Sequence, residues 1–198
     1  MAARKYELKQ RAKRRAETRR RIVEAAVELH GTLGPSRTSI AAIAQLAGVE
    51  RPTVYRHFPT EVDLFRACSA HYWSEHPAPD PEPWRKIADP EQKLRTALEA
   101  MYAYYEQHEQ RLWNILRDAE DSLFVRQFAA HRVAHLERTQ EILSSGWGVR
   151  GGRARLVRAA IGHALDFFAW RSLRRQGLKN ADAVGVMVRA VRCAVRNG

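Results

Sequence analysis

Two short helical segments separated by a single glycine lie near the amino terminus, and they constrain the fold more than any other part of the chain. Thr38-Ser39 supplies an N-cap for a first segment at Ile40–Ala47, whose apolar residues recur on one face. Gly48 suits the tight turn that follows, because glycine adopts backbone angles that other residues avoid. Pro52 fits the first turn of a second segment, where its missing N–H would have had no partner. The pattern predicts a helix–turn–helix unit whose second helix spans about Arg51 to Phe58.

Helical periodicity continues along the rest of the chain, and no segment shows the alternation that is typical of strands. Four prolines between His76 and Pro83 cannot form the interior of a helix, so they predict a connector between two parts. The further helices are predicted at Glu17–His30, Asp63–Glu75, 91–108, 109–119, 122–144, 153–176 and 181–196. We therefore expect an all-α fold, in which a three-helix head containing the helix–turn–helix precedes a larger helical body.

The positive charge of the chain is concentrated at its amino terminus. The whole chain has a net charge of +12, and residues 1–21 alone carry ten Lys or Arg against two Glu. This charge predicts a polyanionic partner, and nucleic acid is favoured over a membrane surface because the basic segment lacks an interleaved apolar face. A solvated run of charges is the alternative. The expected domains are a basic arm at 1–16, a helix–turn–helix domain at 17–75, a Pro-rich connector at 76–90 and a helical body at 91–198.

The outer face of the second helix of the helix–turn–helix unit carries groups that fit DNA. Arg51 can donate two hydrogen bonds to O6 and N7 of a guanine in the major groove. Tyr55, Arg56 and Ser39 suit phosphate oxygens, as do the main-chain N–H groups at the start of the Ile40 helix. The residues predicted to pack inward are Val49, Val54 and Phe58. A helical hairpin buried in a core is the alternative, but it does not explain so many polar groups beside a basic arm.

The stretch from Thr38 to Phe65 resembles the amino-terminal domain of the TetR family of repressors. The family's signature is a Thr- or Ser-capped helix, an Ala-Gly-Val turn and a Thr-Val/Leu-Tyr-x-His-Phe segment. The corresponding residues here are Ala47-Gly48-Val49 and Thr53-Val54-Tyr55-Arg56-His57-Phe58. The resemblance extends over about residues 17–75, and it implies an all-α, dimeric, DNA-binding repressor.

The resemblance also implies roles for individual residues, with two departures from the family's pattern. Ala41 stands where the repressor that gives the family its name carries a base-contacting Arg, and Glu61 stands where the family commonly has Lys. We therefore expect specificity to depend mostly on Arg51 and Thr53, and the arm to supply the phosphate contact that Glu61 cannot make. The predicted DNA-binding residues are Lys13, Arg14, Arg15, Arg19, Thr38, Ser39, Ile40, Arg51, Pro52, Thr53, Tyr55, Arg56 and His57.

The body is expected to contain a ligand site. By resemblance, a small molecule bound there changes the spacing of the two DNA-binding heads. The aromatic-rich stretch 101–128 fits this idea, because such sites need apolar walls with a few polar groups. An aromatic stripe that simply fills a core is the alternative. The predicted ligand-binding residues are Met101, Tyr104, Tyr105, Trp113, Phe124, Phe128, His131, Asp166, Phe167 and Trp170.

The last two predicted helices, 153–176 and 181–196, carry apolar residues on more than one face. Such a helix is either central in a core or shared with a partner. By resemblance, these helices form the seam of a homodimer, in which the small residues Ala160, Gly162 and Ala164 let the backbones approach. A dimer would place two heads one helical turn apart on a palindromic operator.

Other functional classes have little support in the sequence. Cys68 and Cys193 form no CxxC motif, and the chain lacks an apolar run near 18 residues or a signal peptide, so a cytoplasmic protein is expected. The spacing of His131 and His135 permits a metal, but no supporting motif accompanies it, so neither a metal nor a cofactor is expected. No strained nucleophile turn is present, and the prediction is that the protein is not an enzyme.

These observations predict a sequence-specific DNA-binding transcriptional regulator. Its expected partners are double-stranded DNA with a palindromic operator, a second copy of the chain, and an unidentified small apolar or aromatic ligand that releases the operator. The alternative is a constitutive DNA-binding protein without ligand sensing. The sequence is also compatible with an activator in place of a repressor.

Overall fold

The computed structural model describes residues 2–121 and 130–196, with the main chain alone for residues 2–5, 120, 121, 130 and 131, and it is all-α in these ranges, as predicted. The described α-helices are α1 (Ala2–Thr32), α2 (Ile40–Leu46), α3 (Arg51–His57), α4 (Glu61–Glu75), α5 (Pro90–Gln107), α6 (Glu109–Asp121), α7 (Ala130–Leu143), α8 (Gly151–Ala164), α9 (Phe167–Arg175) and α10 (Asn180–Arg196). Two short 3₁₀ helices lie at Pro35–Arg37 and Glu82–Lys86. None of the described helices combines the length and the apolar character needed to cross a bilayer.

The chain divides into two compact units. Unit 1 contains the chain up to Pro77 and the segment that begins at Gln110, and unit 2 contains Ala78–Glu109 and the segment that begins at Ala129. Helix α6 therefore groups with α1–α4, although the sequence-based domains placed it in the body. The connector predicted at 76–90 includes the second 3₁₀ helix, whose Trp84 is buried.

The core of unit 1 consists of small and medium apolar side chains from the first four helices. Its fully buried members come from each helix in turn, and they are Ile22, Ala26, Ile43, Val54, Leu64 and Phe65. This core holds α3 through one face only, which leaves the opposite face for a partner.

Helix α1 is much longer than the predicted Glu17–His30, because the basic arm is helical as well. Lys, Arg, Glu, Gln and Ala dominate the added residues, and all of them favour helix. Arg20 further bridges Glu17 and Glu24 on the helix surface, at 2.7 Å and 2.5 Å between the paired atoms. The predicted helix at 122–144 is described from Ala130 as α7, and its first part lies outside the described residues.

The single helix predicted over 153–176 is wrong, since the chain forms α8 and α9 with a break at Leu165 and Asp166. Asp166 is the N-cap of α9, where its carboxylate accepts a hydrogen bond from the main-chain N–H of Ala169 at 2.8 Å. An aspartate in this position satisfies an N–H that would otherwise have no partner at the helix start. The capping interaction therefore starts a new helix where apolar periodicity alone predicts continuation.

Candidate nucleic-acid interface

The turn between α2 and α3 has the geometry that the sequence predicts. The Ser39 hydroxyl accepts a hydrogen bond from the main-chain N–H of Ala42 at 3.1 Å, which caps α2. Gly48 has a φ of 63°, in the left-handed region that favours glycine. The N–H of Val49 then donates to the carbonyl of Ala44 at 3.0 Å. These local contacts fix where α3 begins relative to α2.

Helix α3 buries one face and exposes the other. Val54 is fully buried and Phe58 is 2% exposed, which confirms their predicted inward positions, whereas Tyr55 is 41% exposed. The guanidinium of Arg56 donates to the Thr53 hydroxyl at 3.1 Å, so these two side chains lie together at the surface. The outer residues of α3 are Arg51, Pro52, Tyr55 and Arg56, all exposed, with Thr53 and His57 half-buried and Val49 half-buried in the turn.

A groove of about 530 Å³ lies between α1 and α3 within unit 1. Its cationic members, Arg14 and Arg15 from α1 and Arg56 from α3, outnumber its one carboxylate, Glu50. The remaining lining residues are Thr18, Val49, Thr53 and His57. We call it the α1–α3 groove. It joins part of the predicted arm to the predicted recognition helix in one concave, positively charged surface.

The pKa of His57 reflects partial burial and the positive charges at this groove. Partial burial lowers its pKa below the usual value, and the nearby cations Arg15, Arg56 and Arg19 lower it further. A neutral imidazole donates one hydrogen bond and accepts another, which suits a phosphate neighbour. Arg19 also lies over the Phe58 ring, with its guanidinium carbon 4.5 Å from the ring centroid. The pKa of His57 thus reflects a cluster of positive charges beside α3.

The other predicted DNA-binding residues have fewer groups available to contact DNA. The Thr38 hydroxyl donates to the Gly34 carbonyl at 2.8 Å, and the Ile40 side chain is buried, which leaves only its main chain for contact. Lys13 is exposed on α1, and its charge acts on Glu17 one turn later. The helical period places Lys13 on the side of α1 opposite to Arg11 and Arg15.

Polar side chains of α6, which the sequence analysis did not single out, bind the end of α1. The side-chain amide of Asn114, 2% exposed, donates to the carbonyls of Gly31 at 2.8 Å and Thr32 at 2.9 Å. The guanidinium of Arg111 donates to the carbonyl of Val27 at 2.6 Å. The last carbonyls of a helix have no partners within it, so Asn114 satisfies two of these groups.

Asp118 continues this contact toward α2. Its carboxylate, which is buried, accepts a hydrogen bond from the N–H of Ser36 at 2.8 Å and pairs with Arg117 at 2.8 Å. The spacing of 111, 114 and 118 places these polar groups on one helical face. A polar helical face is usually solvated, so the sequence pattern alone contained no sign that it holds the segment leading into α2.

The predicted ligand-binding residues fall into three groups. The aromatic and apolar residues of unit 2 are buried and pack together, with Tyr105 in ring contact with both Phe167 and Trp170. Asp166 caps α9, and Trp113 belongs to α6 in unit 1. The buried members are Met101, Tyr104, Tyr105, Phe167 and Trp170. Phe124, Phe128 and the side chain of His131 lie outside the described residues.

The phenols of this aromatic cluster bind the main chain at the break between α8 and α9. The Tyr102 hydroxyl donates to the Ala164 carbonyl at 2.8 Å, and the Tyr105 hydroxyl donates to the Leu165 carbonyl at 2.6 Å. Burial raises the pKa of Tyr105 to about 12 and raises the pKa of Tyr102 as well. Both phenols therefore remain neutral donors at any ordinary pH.

The capped α2, the glycine turn and the half-exposed α3 define a helix–turn–helix protein. The family model described as "Bacterial regulatory proteins, tetR family" matches residues 22–68, which include all three features. Residues 22–68 therefore form a TetR-type amino-terminal domain, as the sequence predicts. The matched proteins are regulators, which agrees with the prediction that this protein is not an enzyme.

Individual proteins match the chain over different lengths. The chain is 42% identical over 62 residues to the HTH-type transcriptional regulator TtgR of Pseudomonas putida, a match that covers 30% of each protein. A TetR-like transcriptional regulator from Rhodococcus sp. RHA1 has a similar structure, with a TM-score of 0.66, 20% identity and coverage of 91% of this chain and 97% of that one. The transcriptional regulator FadR from Bacillus subtilis, in complex with stearoyl-CoA, has a similar structure as well. The TM-score is 0.61 and the identity 20%, and the match covers 90% of this chain and 98% of that one. At 20% identity, the likeness to these two structures is one of fold.

Proposed function

We propose that the protein is a sequence-specific transcriptional repressor that leaves a palindromic operator when a small apolar or aromatic ligand binds unit 2. The observation that carries the DNA-binding part is the exposed face of α3 next to the arginines of the α1–α3 groove. A recognition helix needs such a free face to enter the major groove, and phosphate contacts beside it set its register.

The proposed division of DNA contacts follows the positions of the side chains. Arg51, Pro52 and Thr53 at the start of α3 face the bases, while Tyr55, Arg56 and His57 bind mainly phosphates. Glu61, at the start of α4, is exposed and cannot bind a phosphate. The proposed replacement for this contact comes from α1, through Arg14, Arg15 and Arg19.

The proposed homodimer uses the outer faces of α8 and α10, which pack against each other within unit 2. Leu156, in the middle of α8, is 51% exposed. Covering this apolar side chain with a partner would remove it from water and so favour association. Ala159 and His163 continue its stripe, and Ala190 and Cys193 form a matching exposed stripe on α10. The spacing of three or four residues in both stripes is typical of helices that pair with a partner.

In unit 2, one feature favours a bound ligand and another favours a filled core without a ligand. The Nη2 atom of Arg132 is buried and, among the described residues, has no hydrogen-bond partner, which favours a polar group of a ligand beside Tyr105. The tight packing of Tyr102, Tyr105 and Trp170 favours a filled core, and with it the constitutive DNA-binding protein. We propose the ligand-responsive repressor because such responses are usual in this family.

Selection of bound sequences from random duplex DNA tests the proposal. A palindromic site is expected, and Arg51→Ala should lower the affinity for it by about 5- to 150-fold, the range for one bidentate base contact. Arg175→Ala is the matched control, because Arg175 is an exposed arginine in unit 2. Binding without sequence preference, or an equal loss in both variants, would contradict sequence-specific recognition by α3.

Thermal-shift screening separates the repressor from the constitutive protein. A small apolar or aromatic compound that raises the melting temperature is expected to reduce binding to the selected operator. Arg132→Gln should weaken the response to compounds with an acceptor group without changing operator affinity in their absence. Compounds that stabilise the protein but leave operator binding unchanged would favour the constitutive alternative. Transcription from the operator in vitro then distinguishes repression from activation.

A further inference from the structure

Helix α1 continues far beyond the part that packs against unit 1. It begins at Ala2, and its first buried side chain among the described residues is Ile22. We call residues 2–21 the α1 extension. At about 1.5 Å per residue it is roughly 30 Å long. The buried side chains of α1 begin at Ile22, and of the extension only its last residues, such as Arg19 over the Phe58 ring, contact the core.

The charge of the α1 extension is unfavourable for an isolated helix. It carries ten of the chain's 34 Lys and Arg but only two carboxylates, and Glu17 is already paired with Arg20. Like charges four residues apart recur at Lys9 and Lys13 and at Arg11 and Arg15, and such pairs destabilise a helix. A polyanion along the extension would relieve this repulsion.

One face of the α1 extension leads directly to the α1–α3 groove. Arg14 and Arg15 line that groove, and Arg11 precedes Arg15 by one helical turn. Glu7 lies one turn before Arg11 on the same side, so Arg11 is the outermost cation of this face whose side chain the structure describes. Residues 2–13 add about 18 Å beyond the groove, a length that corresponds to roughly five base pairs of duplex.

We propose that the α1 extension is a helical element that binds the phosphates of the duplex flanking each operator half-site, without regard to sequence. Arg14 and Arg15 hold the backbone at the edge of the half-site, and Arg11 contacts a phosphate farther out. The proposal rests on the proposed function, because it needs an operator to define the flank. Tyr6 and Leu8 are the large apolar residues exposed on the described extension, too few to favour a membrane surface.

Affinities for two duplexes test this proposal, one ending at the edge of the selected operator and one extended by about ten base pairs on one side. The longer duplex should bind the wild-type protein more tightly at 50 mM salt. If Arg11 neutralises one phosphate, this gain should fall about 3.5-fold between 50 and 200 mM salt. The variant Arg11→Gln should lose the gain and bind the short duplex like the wild type.

The matched control removes the same charge from the opposite side of the helix. Lys9→Gln is expected to keep most of the gain, because Lys9 lies about half a turn around the helix from Arg11. An equal loss in Arg11→Gln and Lys9→Gln would overturn the proposal in favour of a diffuse charge effect. A wild-type protein that binds both duplexes equally would overturn it as well.

A helix-breaking substitution tests whether the helix itself matters. Ala12→Pro keeps every charge but removes an internal hydrogen bond of α1 and disrupts the helix, while the core from Ile22 onward stays intact. It should abolish the flank gain without changing the melting temperature. Ala3→Pro is the control, because proline is tolerated in the first turn of a helix. A full gain in Ala12→Pro would show that a flexible arm suffices and would overturn the helical element.

The two proposals fail in different ways. If selection recovers no operator, the proposed function fails, and no flanking duplex can be defined. If an operator is recovered and Arg51→Ala weakens it, but the flank adds nothing, only the role of the α1 extension fails.

Discussion

The ends of α1 in unit 1 and α8 in unit 2 are both capped by a distant helix, but with different chemistry. At the end of α1, the Asn114 amide of α6 donates to two main-chain carbonyls. At the end of α8, the phenols of Tyr102 and Tyr105 from α5 donate to the carbonyls of Ala164 and Leu165. Both arrangements satisfy carbonyls that a helix leaves without partners.

The difference lies in what surrounds each cap. Near the end of α1, burial and then the charge of Arg111 lower the pKa of His30 to about 4, so this region contains a group whose protonation opposes folding in acid. Around the end of α8, the phenols lie in a cluster of buried rings that includes Phe167 and Trp170. We therefore expect unit 1 to be sensitive to pH, and unit 2 to be sensitive to the loss of packed volume.

The largest expected effect is the loss of the Trp170 ring from unit 2. Trp170→Ala should lower the free energy of unfolding by about 3–5 kcal/mol, because Trp170 is fully buried and contacts Tyr102, Tyr105 and Phe167. Urea unfolding followed by far-UV circular dichroism measures it. Phe168→Ala is the control, since Phe168 is 36% exposed and should cost much less. Equal losses in the two variants would contradict a packed aromatic cluster around the phenols.

The acid sensitivity of unit 1 should come next in size. Burial, and then the charge of Arg111, lower the pKa of His30 from 6.5 to about 4. The unfolded chain therefore binds the proton more readily, and His30 contributes stability above pH 6.5 that is lost as the pH falls toward 4. The loss should approach about 3 kcal/mol at pH 4.

Unfolding of wild type and His30→Leu between pH 7 and pH 4 checks this prediction. The variant should lose the part of the pH dependence that belongs to His30, whatever its stability at pH 7. Leu64→Ala is the control, because it removes buried volume from unit 1 without removing a titratable group and should leave the slope unchanged. A pH dependence in His30→Leu identical to that of the wild type would place the acid-sensitive group elsewhere.

The sequence predicts a feature well when the residues that form it lie close together along the chain. The helix caps show where such prediction stops. The Ser39 cap and the Gly48 turn involve residues within a few positions of each other, so their pattern predicts both the helix–turn–helix and the outer face of α3. The bond between Asn114 and Gly31 spans 83 positions, and no periodic pattern predicts it. Apolar periodicity continues across Asp166 and so predicts no break there, although an aspartate that can cap a helix is a visible signal in the sequence.

The Asn114 cap gives a smaller expected effect that tests unit 1 directly. Asn114→Ala leaves the carbonyls of Gly31 and Thr32 without the amide, and should lower the free energy of unfolding by about 1–3 kcal/mol. Gln107→Ala, at an exposed position of α5, is the control and should change it little. Operator affinity measured well below the melting temperature should also fall, since the end of α1 leads into α2. A stable variant with normal affinity would mean that α6 does not position the helix–turn–helix.

The phenol caps of unit 2 give the smallest expected effect. Tyr105→Phe keeps the packed ring and removes only the hydroxyl that donates to Leu165, so the loss should be about 1 kcal/mol. Because burial raises the pKa of Tyr105 to about 12, the hydroxyl stays protonated and the loss should be the same at pH 5 and pH 8. Tyr55→Phe, on the exposed face of α3, is the control for stability. A loss in Tyr105→Phe that changes between these two pH values would remove the contrast with His30, since acid sensitivity would then belong to both units.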